Sequence, residues 1–413
     1  MSSTLLLMDA AGATYIEELA AAPVFSRPTR PLRSRIAYAA AHVIPKPWAE
    51  NVPGAPADVD WDATLAFRRH VWSWGLGVAD AMDTAQRNMG LDAAATRELI
   101  SRSAAEARAA GGSIVAGVNT DHIDDESLTL QQIIDAYVTQ LQFTEDAGAG
   151  AVLMASRHLA RTATTAAEYE HVYGEVLSRA AGPVILHWLG TAFDPQLAGY
   201  FGASDDLKAA TDTLVRIIEN NPDQVVGVKM SLLDADAEIA VRARLPKTAT
   251  MYTGDDFNYV GLIDPTLPGD ESDAPLGDAT EPTNGTSSDT ADGTYSNALL
   301  GAFATIAPNA SAAIQALDRD DHDAYRGILG PTEALSRQVF AAPTFYYKTG
   351  VAFLSWLNGH QESFSMVGGL HSARSLPHLS EIVRLANSAG ALERPELAAA
   401  RWHGLLALNG VAS

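Results

Sequence analysis

The stretch GPVILHWLG at 182–190, the segment DLKAATDTLVRIIEN at 206–220 and DQVVGVKMSLLD at 223–234 together decide the fold. Two apolar runs rich in β-branched residues, 183–187 and 225–229, flank a segment whose apolar residues recur at helical spacing. A strand, a helix and a second strand in that order demand parallel pairing, because the crossover takes about a dozen residues or more. Working outward, the same alternation recurs. Further strands are expected at 35–44, 77–82, 113–117, 151–155, 249–253 and 296–301, and helices at 60–74, 92–110, 130–147 and 166–179.

Eight strands alternating with helices allow a closed (β/α)8 barrel or an open, doubly wound sheet. No GxGxxG follows the first strand and no GxxxxGK[ST] occurs, so the phosphate-binding signatures of the open fold are missing. The reading is therefore α/β, a (β/α)8 TIM barrel over 35–309. An N-terminal extension (1–34) precedes it and a C-terminal helical appendage (310–413) follows. An acidic insertion rich in Gly, Pro and Ser interrupts the barrel at about 264–295.

Composition narrows the function. The chain has 413 residues, 47% of them hydrophobic, enough to build a sizeable core. Lys plus Arg number 28 against 50 Asp plus Glu, a net charge of −22, which opposes nucleic-acid phosphates and anionic lipid. With no cysteine there are no disulfides, thiolate metal sites or cysteine nucleophiles. The N-terminus has only a short apolar run and no leading positive charge, so the expectation is a cytoplasmic enzyme without a membrane span.

Lysine is scarce: Lys46, Lys208, Lys229, Lys247 and Lys348 are the complete set. Lys229 ends an apolar strand, where a barrel turns the side chain into its mouth. Desolvation there lowers the amine's proton affinity and frees it to attack a carbonyl, unless a carboxylate simply neutralises it. Other titratable groups gather where the neighbouring strands end: Asp83 and Thr84, Asn119 to His122, Ser156 to His158, His187 and Asp255. Lys348, beside two tyrosines in FYYKTG, is assigned a helix-end or interface role.

Six segments in order are similar to the dihydrodipicolinate synthase and N-acetylneuraminate lyase superfamily of class I aldolases. They are AAHVIPKP, VDWDATLAFRRHVWSWGLGVADAMDT, PVILHWLG, QVVGVKMSLLD, MYTGDDF and AFATIAPN. The resemblance runs from about 35 to 392 and marks a divergent bacterial branch. It implies a barrel with a C-terminal helical segment, a dimer or tetramer, and a sixth-strand lysine, here Lys229, that forms a Schiff base. The family's Gly-Thr-Thr-Gly-Glu run reads Asp83-Thr84-Ala85-Gln86-Arg87, keeping only the first threonine. His187 stands at the family's strand-five tyrosine and His158 at its strand-four tyrosine.

If Lys229 is the nucleophile, the expected chemistry is that of a lyase on a keto sugar or related polyhydroxylated carbonyl compound, with no cofactor. His187 is the acid/base, Thr84 and His158 extend the proton relay, and Asp83, Asn119, Asp121, Arg157, Asp255 and Ser296 bind substrate polar groups. The first alternative is a divalent-metal sugar isomerase, epimerase or aldolase. His42, Asp80, Asp83, Asp121, His122, His158, His187 and Asp255 would then offer ligands for Mn2+, Mg2+ or Zn2+. A non-catalytic sugar-binding barrel is the third reading.

Overall fold

The computed structural model describes residues 4–202, 206–266 and 294–411. An antiparallel hairpin of β1 (Thr4–Met8) and β2 (Thr14–Glu18) comes first. Eight barrel strands follow: β3 (Ala37–Ala40), β4 (Gly77–Asp80), β5 (Ile114–Val118), β6 (Gly150–Leu153), β7 (Val184–Leu189), β8 (Val225–Ser231), β9 (Thr250–Thr253) and β10 (Asn297–Leu300). They pair in parallel in chain order, and β10 closes on β3. The expected (β/α)8 barrel is the observed one.

Helix positions follow local chemistry. Asp60, Asp92, Thr129, Thr165 and Asp206 each accept a backbone N–H in the first turn of the helices Trp61–Ser73, Ala93–Ala110, Leu130–Ala147, Ala166–Leu177 and Leu207–Asn220. Each helix lies in a crossover expected from the sequence. Two short helices not foreseen, Ala235–Arg242 and Tyr259–Ile263, fill the crossovers after β8 and β9. The acidic stretch 267–293 lies outside the described residues.

Strand alternation divides the apolar residues between two cores. Ala40, Ala79, Val115, Val152, Ile185, Tyr252 and Leu299 meet inside the strand ring. The alternate residues, such as Ala39, Val78, Leu153, Leu186, Val228 and Met251, face the surrounding helices. On β7 the inward set therefore continues from Ile185 to His187. Register places Lys229 directly opposite both His187 on β7 and Tyr252 on β9.

After the barrel come helices Ala307–Leu317, His322–Val339, Tyr347–Leu357, Leu376–Ser388 and Pro395–Leu408. The N-terminal hairpin docks on the last two. Leu6 N–H donates to His403 Nε2 at 3.0 Å, Met8 N–H to Ser380 Oγ at 2.7 Å, and Trp402 Nε1–H to Leu6 O at 2.6 Å. The two ends of the chain are thus stitched together. Among the described residues no helix is long and apolar enough to cross a membrane.

Candidate active site

Lys229 points inward near the end of β8 with only 7% of its surface exposed. Among the described residues its ammonium has neither an ion pair within 4.0 Å nor a hydrogen bond, although Asp256 and Asp83 are near enough to act on it electrostatically. Burial lowers its pKa, and those two carboxylates offset only part of the shift. Room for the side chain depends on Gly254. A Cβ there would lie 2.2 Å from Ser231 Oγ and 2.9 Å from Lys229 Cε.

His187 stands beside it, fully buried, with Nε2 3.2 Å from Ser231 Oγ and Nδ1 lacking a partner. Burial, reinforced by the positive charge of Lys229, pushes the imidazole well below its ordinary pKa. His187 is therefore a neutral acceptor at pH 7.

Asp256 was not singled out by sequence reasoning. Its carboxyl is buried and accepts the Ala302 N–H at 2.8 Å; burial pushes its pKa up to about 7, against the opposing pull of that N–H and of Lys229. Its neighbour Asp255, expected to bind substrate, is committed to its own turn. Both Asp255 oxygens serve its own turn, accepting the N–H groups of Phe257 (2.9 Å) and Asn258 (3.2 Å) and the Asn258 side-chain amide (2.9 Å). The sequence signal GDD marked the place, and the turn decided which of the two acids faces the amine.

Ser296 is a second correction. It is buried immediately before β10, donating to Glu238 Oε1 at 2.7 Å and accepting from Arg242 at 3.0 Å, both on the helix Ala235–Arg242 outside the strand ring. Its hydroxyl ties a strand to a helix and is not offered to a substrate.

Thr84 sits in the short turn Asp83–Ala85 after β4 and shares a 2.9 Å hydrogen bond with the hydroxyl of Tyr347. Tyr347 opens the helix Tyr347–Leu357, 263 positions along the chain. Its ring stacks on Phe340 with centroids 4.4 Å apart. Lys348 follows, 3% exposed, its Nζ 4.4 Å from the Phe345 ring centroid. Burial pulls its pKa down to about 8, with Asp83 and Asp194 opposing and Arg157 assisting. The expected helix-end position is the observed one, in the first turn of Tyr347–Leu357 and within the field of Asp83.

A cleft of about 230 Å³ opens at the C-terminal ends of β4 to β7. Asp83, Asn119, Asp121, Arg157 and His158, all expected at the site, line it, together with Asp194 and Leu189. Lys229 and His187 are not among the lining residues; Asp83 is, and its charge acts on both Lys229 and Lys348. Most of the cleft's polar groups are already engaged. Arg157 Nε–H donates to Asp194 at 2.5 Å, and Asp121 pairs with the buried Arg87; burial raises the Asp121 pKa, but the charge and hydrogen bonds of Arg87 together with His122 and Gln140 bring it below the ordinary value. Asn119 Oδ1 accepts the Thr120 N–H at 2.7 Å. His158 uses both ring nitrogens, Nδ1 to Thr120 Oγ1 at 2.7 Å and Nε2 to Asp125 O at 3.1 Å. It fixes the loop at the rim, and no hydrogen bond joins it to Thr84 or His187.

The residues considered as metal ligands do not converge. Asp80 is held by Arg68 through both carboxylate oxygens, at 2.7 and 3.0 Å, with neither side chain exposed. His42 is buried against Gln361 at 3.3 Å, and His122 bonds Gln140 at 2.8 Å. Among the described residues, one group of three His, Asp or Glu side chains has its ligand atoms mutually within 4.8 Å, and it contains none of the residues above.

The fold is similar to dihydrodipicolinate synthase from Aquifex aeolicus (13% identity, TM-score 0.60, covering 87% of this chain and 99% of that one). It is equally similar to the enzyme from Thermotoga maritima (12% identity, TM-score 0.60, 87% and 99%). The 4-hydroxy-tetrahydrodipicolinate synthase of Methylacidiphilum fumariolicum SolV gives 13% identity, TM-score 0.57, 88% and 99%. The resemblance noted in the order of segments thus holds at the level of fold. No curated protein matches the chain by sequence. A family model described as "Protein of unknown function (DUF993)" matches residues 5–411, and the chain belongs to that family.

Proposed function

We propose that the protein is a lyase of the class I aldolase type, in which Lys229 forms a Schiff base with a polyhydroxylated ketone or aldehyde. The observation that carries this reading is a buried lysine at the inner end of the sixth barrel strand, unpaired among the described residues. It stands opposite a neutral histidine and beside a carboxyl whose burial favours the acid form. Burial disfavours both charges of the Lys229–Asp256 pair, so a proton moves from the ammonium to Asp256 at low cost, and the free amine is the nucleophile.

Its lone pair adds to the carbonyl carbon. Asp256 returns the proton to the carbinolamine oxygen, which leaves as water to give the iminium. The iminium draws electrons from the adjacent carbon–carbon bond while neutral His187 takes the proton of the hydroxyl on the departing carbon. That carbon leaves as a second carbonyl, and the enamine is protonated and hydrolysed to free the amine. A cleft with Asp83, Asp121, Asp124 and Asp194 on its wall suits hydroxyl-rich, uncharged carbonyl compounds over keto diacids.

Incubation with a panel of keto sugars and borohydride, followed by peptide mass mapping, tests the assignment. The expected adduct is on Lys229 and absent from Lys229→Ala. A label on Lys348, or one retained by the Ala variant, overturns it.

A further inference from the structure

Away from the cleft, His70, His360 and Glu393 converge on one point. His70 lies near the end of the helix Trp61–Ser73, His360 just beyond the helix Tyr347–Leu357, and Glu393 just before the helix Pro395–Leu408. Glu393 Oε1 lies 3.4 Å from His70 Nε2 and 2.8 Å from His360 Nε2, and the two imidazole centroids are 4.4 Å apart. None of the three lines the cleft.

We propose that these three side chains form a site for a divalent zinc-class ion that staples the C-terminal helices to the barrel. Four ligands arranged tetrahedrally at zinc distances stand about 3.3 Å apart. The observed spacings need only small side-chain rotations to match. Two imidazoles and one carboxylate select zinc, cobalt or nickel over magnesium and calcium, which require oxygen donors.

The surroundings are built for such a site. Phe67 meets the His360 ring edge-on at 5.3 Å and lies near-parallel to His70 at 6.1 Å, and Trp74 closes the far side of His70 at 6.5 Å. These rings hold the imidazoles in place, leaving little reorganisation to precede binding. The side chains keep 16%, 16% and 24% of their surface exposed, so an ion can enter and a water can supply the fourth ligand. The chain's net charge of −22 concentrates cations at its surface.

The competing description is a hydrogen-bonded stitch, with both Nε2–H groups donating to one carboxylate oxygen and no ion involved. The two differ in their protons: coordination through Nε2 moves the hydrogen of a neutral ring to Nδ1 and releases a proton only from a ring that was charged. Untagged full-length protein, stripped with chelator, should take up one zinc per chain in competition with a chromophoric chelator, and its melting temperature should rise. Cobalt should give the intense visible bands of a tetrahedral N2O2 site, a signature independent of any stability effect. His70→Gln and His360→Gln should each weaken zinc binding by more than the roughly 100-fold that outer-shell partners command, and abolish the bands. Lys229→Ala, which alters only the barrel interior, should bind as the wild type does. Absence of zinc uptake, or uptake that survives the double Gln variant, overturns the proposal.

Discussion

At the scale of single residues, the site turns on how few partners Lys229 has. A buried ammonium without a contact ion is costly, and burial lowers the proton affinity of the Lys229 amine while raising that of the Asp256 carboxyl. In the mechanism proposed above, Asp256 has to be in its acid form to release water from the carbinolamine. Its pKa of about 7 is raised above the ordinary carboxylate value, so the acid form is lost as pH rises through 7. Imine formation, followed as the rate of borohydride trapping, should therefore fall on the alkaline side of pH 7. Asp256→Asn should be slower by about 10²-fold, the lower end of what a positioned acid supplies, and should lack that limb. A variant that keeps the same limb would assign it to another group.

At the scale of elements, the helix Trp61–Ser73 is anchored to the barrel by one buried ion pair. Arg68 reaches from its inner face to Asp80 at the end of β4, and also donates to the carbonyls of His42 and Thr64 at 2.8 and 3.0 Å. The pair binds β3, β4 and the intervening helix into one unit directly below the turn that presents Asp83 and Thr84. Removing the Asp80 charge leaves a guanidinium buried with its fork half-satisfied. Asp80→Asn should cost about 3–5 kcal/mol in urea unfolding. A loss under 1 kcal/mol would mean that water or a rotated side chain replaces the carboxylate.

At the scale of the whole molecule, the C-terminal helices complete the barrel's site as well as covering its flank. Tyr347 bonds Thr84, and Lys348 lies within the fields of Asp83, Arg157 and Asp194. A methionine of similar length in place of Lys348 keeps the packing and removes an amine that is expensive to bury. Lys348→Met should unfold at a temperature no lower than the wild type and yet lose substrate affinity, read as a rise in KM with kcat held. Unchanged KM would show that the amine only neutralises Asp83. The stapling proposed for His70, His360 and Glu393 would fix the same helices, so zinc loss should loosen Tyr347 and Lys348 in hydrogen exchange.

How much of this was legible differs by residue. The core of β8 was expected at 225–229 and found at Val225–Ser231, and β10 was expected at 296–301 and found at Asn297–Leu300. Lys229 was marked by its place at the end of an apolar run in a chain with five lysines. Lys348 had a comparable signal, one cation in the apolar stretch YKTGVAFLSWL, but nothing local to say what lay opposite it. Asp255 and Asp256 are indistinguishable as letters; hydrogen bonds within one turn set them apart.

The sequence by itself determined the barrel, the order of its strands and the inward lysine of the sixth, because burial imposes its period on neighbouring residues whatever the rest of the chain does. The tertiary structure decided that Tyr347 meets Thr84, that Asp255 is spent on its own turn while Asp256 acts on the amine, that Ser296 is tied to a helix, and that His70, His360 and Glu393 meet. Those outcomes depend on packing between segments far apart in the chain or on the direction of a single side chain, and local periodicity carries neither.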